Sequence, residues 1–472
     1  MLWQDGSGVF VRDIIMSSQW NSGLHQKTII LSMLTRRHLF FAAPALAAKP
    51  QLKISTFAVD VTPPIGAPLC YSLVVPAERV ESPLLAKGVV LYPSGEKPIV
   101  LCAVDWLGIG GDSHLDWRTR LAQAARTTPD RVAVQTVHQH DAPGDDRGAL
   151  KFAPKDTLTP AAFCIDALTR VAAAIRKSKP TPVTDWATGT ADVQGVASNR
   201  RILSPDGKTF VFQRFTACRN SPYCAAPDGV IDPALKTVSF YSNQTRLASL
   251  HYYATHPMSY YGKGVVNPDF VGIARESLSG FHVYFTGAAG NIGAGKYNDG
   301  SPENRTVLAS KITCAMKASL SNESPRPIGR LNWKALPIRL AHREGTDFNE
   351  AAIRRTLDNP NATPRDRASH ARYLAWWNRC LTPGPNITIQ SLQLDGAAII
   401  HMPGELFVEY QLAAIKENSS NWTAMAAYGD YSPMYIGTAV SYPQQGYETS
   451  AVSRVGPDAE PVLLDSIRKS LR

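Results

Sequence analysis

The sequence predicts an α/β fold, with mixed β-sheets flanked by helices in a single large domain that carries a helical insertion. Three observations predict it. From Leu52 onward, short strand-like runs alternate with amphipathic stretches. Consecutive segments spell out one β–α–β order, the signature of a sheet with helices on its faces. The composition, 44% hydrophobic and 19% charged over 472 residues, supports a sizeable core and excludes a disordered chain.

The N-terminal stretch stands apart. Residues 1–32 show neither apolar periodicity nor turn logic, and we expect them to be an upstream extension outside the native protein, with Met33 as the true start. "MLTRRHLFFAAPALAAKP" then carries Arg36-Arg37, an apolar run and "ALAA" before Lys49. That is the order of an export signal, and the paired arginines resemble a twin-arginine leader. A signal peptide over 33–50 places the mature chain outside the cytoplasm, periplasmic or secreted, starting near Lys49 or Gln51.

"KISTFAVDVTPP" reads as a strand ending at Pro63-Pro64. "AKGVVLYPSGEKPIVLCAVDWLGIG" reads as two strands joined by a Ser-Gly turn. "SHLDWRTRLAQAART" is an amphipathic helix and "RVAVQTVHQHD" the strand after it. "TPAAFCIDALTRVAAAIRKS" has a Thr-Pro start signal and apolar residues at helical spacing. Residues 183–250 are strand-rich, and "KTVSFYSNQTRLASLHYYATHP" reads as a hairpin. "GFHVYFTGAAGNIGAG" is a strand entering a Gly-rich loop. The charged stretch Gly345–Arg379 reads as the helical insertion, about 345–380. "TIQSLQLDGAAIIHMPGELFVEYQLAAIKEN" reads as strand, Asp-Gly turn, strand, Pro-Gly break and helix.

Charge and cysteine usage narrow the function classes. The net charge is +10, but the basic residues are scattered, with no dense run and no nucleic-acid module. No nucleic-acid partner is expected; a solvated surface, or attraction to anionic lipid or envelope polymer, accounts for the charge. No run of 18 apolar residues predicts a membrane-spanning helix in the mature chain. None of the seven cysteines forms a C-x-x-C pair, which argues against a zinc ribbon. Cys218 and Cys224 flank a Pro turn and suit a small disulfide loop in an exported protein.

Strand ends carry the residues with metal chemistry. His138 and His140 sit in "TVHQHD", His256 in "ATHP" and Glu405 in "PGE", followed by the tyrosine-rich "AYGDYSPMYIGTAVSYPQQGYE". Imidazole and carboxylate suit zinc, and a catalytic zinc keeps an open position for water. An H-x-H on a strand is expected to show both imidazoles on one face, because side chains alternate with period two. Spacing alone leaves open whether these segments meet.

Taken in order, "VDVTPPIG", "CAVDWLGI", "TVHQH", "ATHPMSYYG…NPDFVGIARE", "TGAAGNIG", "MPGELFVEY" and "YIGTAVSYPQQGYE" resemble the neutral/alkaline ceramidase family. The likeness is to compact bacterial proteins related to its N-terminal catalytic domain, and it runs from about Val59 to about Glu448. It implies a catalytic domain over 51–472 without the C-terminal immunoglobulin-like domain. It implies one Zn²⁺ per chain held by His138, His256, Glu405 and Tyr435. His140 would lie beside the metal as acid or proton shuttle, Tyr447 would stabilise the oxyanion, and Arg200 would orient a polar part of the substrate. Zinc lowers the pKa of bound water to about 7, supplying the nucleophile for an amide. The implied reaction cleaves ceramide or a ceramide-like lipid to a fatty acid and a sphingoid base, with possible peripheral contact with a membrane surface.

Three departures leave the substrate open. The family's "HTHSGP" is "HQHDAPG" here, Gly290-Asn291 replaces a Gly-Asp, and the Gly345–Arg379 helices can reshape the entrance. Asp141 is either a support for an imidazole or a turn residue. "GAAGN", Gly287–Asn291, is either a tight turn or a point of close approach to the site. The rivals are a zinc hydrolase of another amide or ester, such as an N-acyl amino compound or an envelope sugar derivative, and a non-catalytic lipid- or glycan-binding relative.

Overall fold

The computed structural model describes residues 51–155, 157–218 and 222–472. The upstream extension (1–32) and the signal peptide (33–50) that the sequence predicts lie outside the described residues.

Three sheets organise the chain. The first has the order Val132–Thr136, Ile99–Val104, Leu85–Pro93, Leu52–Asp60, Thr181–Val183. The second has the order His282–Thr286, Thr245–Tyr253, Ala234–Ser242, Asp185–Asp192, Arg326–Pro327. The third has the order Leu331–Ile338, Ile387–Leu394, Ala397–His401, Thr423–Ala426. Each is mostly antiparallel with one parallel pair: 99–104 with 132–136, 245–253 with 282–286, and 397–401 with 423–426. The sheets are mixed and helix-flanked, as the sequence predicts.

Helices α1 (Gly111–Ala125) and α2 (Ala161–Lys177) pack together on the first sheet. Helices α3 (Asp269–Glu276) and α4 (Pro302–Ser321) pair beside the second. Helices α5 (Glu350–Asp358) and α6 (Pro364–Leu381) pack on each other within the segment read as an insertion. Helix α7 (Val408–Glu417) follows the Pro403-Gly404 break. The Val- and Ile-rich central strands 85–93 and 99–104 are buried almost throughout, which matches sheets covered on both faces. Among the described residues no helix is long and apolar enough to cross a membrane.

The parallel pairs are the part of each sheet that positions the site. Their carboxyl ends are pinned to one another. The Thr286 hydroxyl donates to Val137 O at 2.7 Å, Ala427 N–H donates to Thr286 O at 2.9 Å, and Thr136 N–H donates to Tyr428 O at 2.9 Å. Three sheets therefore end at one point, and the loops leaving them share one space. In α/β sheets, ligands bind at such carboxyl ends.

Candidate metal centre

His138 is two residues past its strand, which ends at Thr136, so the expectation of an H-x-H on one strand face is corrected. The chain turns through a positive φ of 74° at His138 itself. Its backbone N–H donates to Trp106 O at 2.9 Å, and its Nδ1 faces Leu107 O at 2.7 Å. His140 still comes beside it, ring to ring at 4.9 Å, but a loop and not strand alternation puts it there.

His256 follows the strand 245–253. Its Nδ1 lies 2.6 Å from Ala289 O, so the Gly287–Asn291 loop orients this ring. Glu405 follows 397–401, and its segment pairs in parallel with that of Tyr435. Carboxylate Oε2 lies 3.2 Å from His138 Nε2 and 3.0 Å from His256 Nε2. Tyr435 OH lies 3.5 Å from His256 Nε2 and accepts from Arg200 Nη1 at 3.1 Å. The Tyr447 ring stands edge-on to Tyr435 at 5.9 Å. All seven residues singled out in the sequence therefore meet. Arg200 is buried against Tyr435, which rules out a solvated surface charge.

The site's chemistry fits a cation. A neutral imidazole carries one proton, and in both His138 and His256 a backbone carbonyl faces Nδ1, so the proton sits there. Each Nε2 then presents a lone pair toward an anionic oxygen of Glu405, a contact that a metal relieves and an empty space does not. His138 Nε2 and His140 Nδ1 are buried without a hydrogen-bond partner. Among the described residues, His138, His140 and His256 form a buried group able to hold a metal, with ring nitrogens within 4.8 Å of one another. Burial holds His256 down to about 4 and His140 well below the usual imidazole range. Burial pushes the Tyr447 phenol up to about 12. It works against the Arg200 charge too, and there Tyr435 and Glu448 outweigh it.

Sequence reasoning missed several residues. Tyr431 OH donates to Glu405 Oε1 at 2.5 Å, and the Tyr428 ring stacks on His138 at 4.4 Å. Both lie in the tyrosine-rich segment, but nothing in its spacing selects them. Asp141 does not support an imidazole; its Oδ1 accepts from Gly262 N–H at 2.8 Å. Asn291 serves the start of α7, accepting from Val408 N–H at 2.8 Å and donating to Glu409. Cys218 and Cys224 are joined in a disulfide.

Gly290 packs its backbone on Glu405. A Cβ there would stand 2.3 Å from Glu405 O, a backbone atom with little freedom to move. We expect Gly290→Ala to cost about 1–3 kcal/mol and to weaken metal binding by displacing Glu405. Thermal melts with and without added zinc check this; an unchanged zinc-dependent rise in Tm would show that the loop does not fix Glu405.

A cavity of about 100 Å³ opens onto the cluster, lined by His138, His140, Glu405, Tyr435 and Tyr447. Cys70, Leu73, Met434 and Val452 contribute further walls, and α6 closes one side with Arg365, Ser369 and Arg372.

What the fold and site define is an α/β protein of three mixed sheets around a buried histidine cluster able to hold a metal. No protein-family model matches the chain, and no curated protein matches it. Among solved structures it is similar to one described as a ceramidase complexed with C2, at 15% identity and a TM-score of 0.65, over 90% of this chain and 75% of that one. It is likewise similar to the neutral ceramidase from Pseudomonas aeruginosa, at 15% identity and a TM-score of 0.64, over 90% of this chain and 74% of that one. The chain has the neutral-ceramidase fold, as the resemblance in its motifs implies.

Proposed function

We propose that residues 51–472 form the catalytic domain of an exported, zinc-dependent hydrolase of N-acyl amide bonds, with a ceramide-like lipid as leading substrate. The observation that carries this is the meeting of two buried imidazole lone pairs and a buried carboxylate at the mouth of three sheets, in a fold shared with neutral ceramidases. His138, His256, Glu405 and Tyr435 would hold one Zn²⁺, which when bound would supply an acidified water and an electrophile for the amide carbonyl. Tyr431 fixes the Glu405 carboxylate through its other oxygen. Tyr447 lines the cavity, and its hydroxyl is the donor for the developing oxyanion. Its raised pKa keeps that proton in place at neutral pH.

His140, with Nδ1 unpartnered, carries a proton to the leaving amine. Arg200 donates from Nη1 to Tyr435 OH and so positions that phenol, beside the role in orienting a polar part of the substrate that the resemblance implies. The apolar walls Leu73, Met434 and Val452 suit an acyl chain. The Cys218–Cys224 disulfide supports export, since such bonds persist in oxidising compartments.

Metal analysis of the purified protein is expected to give one zinc per chain. A panel of N-acyl lipids including ceramide is expected to be hydrolysed, and chelation is expected to stop it. Zinc-free protein of full activity overturns the metal reading. Turnover of esters or sugar derivatives with none of amides overturns the substrate class.

A further inference from the structure

The lining of the cavity beside the metal centre holds an unmatched charge. Arg365, Ser369 and Arg372 lie four and three residues apart on α6, the spacing that puts side chains on one face of a helix. All three line the cavity. Arg372 is anchored to the protein, although its Nη2 has no hydrogen-bond partner among the described residues. It is buried, its Nε donates to Asp146 Oδ2 at 3.3 Å, and its guanidinium lies 3.5 Å from the centre of the Tyr71 ring. Glu405 belongs to the metal centre, where it faces His138 and His256 and accepts from Tyr431. Arg365 is exposed, and it makes no hydrogen bond or ion pair with any described residue.

Its position also costs stability. Arg365 is the second residue of α6, directly after Pro364 and the Thr363 cap. A cation in the first turn of a helix opposes the macrodipole. Local helix energetics therefore do not account for this side chain. Its charge reaches the site: the Tyr447 phenol and the Cys70 thiol, both lining the cavity, feel it as a lowering influence against their burial.

We propose that Arg365 receives an anionic group on the amine side of the substrate, so that among ceramide-like N-acyl lipids those with an acidic amine substituent are preferred over neutral ones. This rests on the amide-hydrolase reading of the same cavity. Leu73, Met434 and Val452 offer apolar contacts to the acyl chain, and the polar face of α6 in the same lining is assigned to the amine substituent. A guanidinium offers paired donors that match carboxylate or phosphate oxygens. Both groups share that chemistry, and a neutral sphingoid base leaves the charge unused.

The test compares three amides of one chain length: N-dodecanoylglycine, phosphorylated N-dodecanoylethanolamine and neutral N-dodecanoylethanolamine. At least one acidic amide is expected to exceed the neutral one by about tenfold in kcat/KM, chiefly through KM, as a charge-assisted contact supplies. The glycine and phosphate arms tell which anion fits. Arg365→Gln is expected to bring the acidic amides down to the neutral one, and Arg365→Lys to keep part of the preference. The exposed position lets both variants fold, which their melting temperatures check. Equal kcat/KM for acidic and neutral amides in the wild-type protein overturns the proposal, and so does a preference that survives Arg365→Gln. Calorimetric binding of the same amides to metal-free protein gives the ranking without turnover. If none is hydrolysed, the amidase reading fails, and the binding ranking alone then decides the role of Arg365.

Discussion

His256→Ala is expected to leave the protein folded but without zinc, and to lower amide hydrolysis by about a thousandfold or more, because the metal supplies several kcal/mol of transition-state stabilisation. The clearest readout is thermodynamic. A ligand that binds only the folded state raises Tm by mass action. The wild-type protein should therefore melt higher with zinc than after chelation, and the difference should vanish in His256→Ala. Glu405→Gln separates function from stability in the same place. It removes the anionic oxygen facing the lone pairs of His138 and His256 and offers them an amide N–H instead. Zinc binding and activity should be lost, while the metal-free protein melts no lower than metal-free wild type. A Glu405→Gln protein that binds zinc as wild type does would remove this carboxylate from the metal's ligands.

Arg275→Met should carry the largest cost in stability, about 3–5 kcal/mol, because it strands a buried carboxylate. Arg275 on α3 donates from Nη1 and Nη2 to the two oxygens of Asp105, each at 2.8 Å, and both side chains are fully enclosed. Asp105 directly follows the strand 99–104, and the next two residues hold His138. Trp106 O takes its backbone N–H, and Leu107 O faces its Nδ1. Loss of the ion pair should thus loosen the metal centre as well as the fold. Urea unfolding measures the first effect and zinc affinity the second. Adding Asp105→Asn should recover part of the stability by removing the stranded charge. A cost below about 1 kcal/mol for Arg275→Met, the range of exposed ion pairs, would contradict this account.

Much of the fold was legible because its elements are locally encoded. The β–α–β order from Ile99 to Thr136, the hairpin 234–253 and the strand–turn–strand–helix run from Ile387 to Glu417 follow from apolar periodicity and from Gly and Pro punctuation. The H-x-H was legible as chemistry but not as geometry. Thr136 ends the strand because its N–H turns to Tyr428 O, a residue 292 positions away, and no local pattern announces that bond. Asp141 shows the same limit. Beside two histidines it looks like their support, yet its partner Gly262 lies 121 residues on. Tyr431 and Tyr435 are four residues apart in one segment, and only the packed loops show that the first binds the carboxylate and the second reaches His256 and Arg200.

The sequence by itself determined the kinds of element, their order, and the residue types able to hold a metal, because helix and strand periods and ligand chemistry are properties of short stretches. Only the tertiary structure decided that His138, His256, Glu405 and Tyr435 share one point, that Arg200 donates to Tyr435, and that Arg365 lines the cavity with no hydrogen bond or ion pair to any described residue. The physical reason is that convergence depends on how three sheets pack at the carboxyl ends of their parallel strands. That packing rests on hydrogen bonds such as Thr286 to Val137 and Ala427 to Thr286, which join segments more than a hundred residues apart.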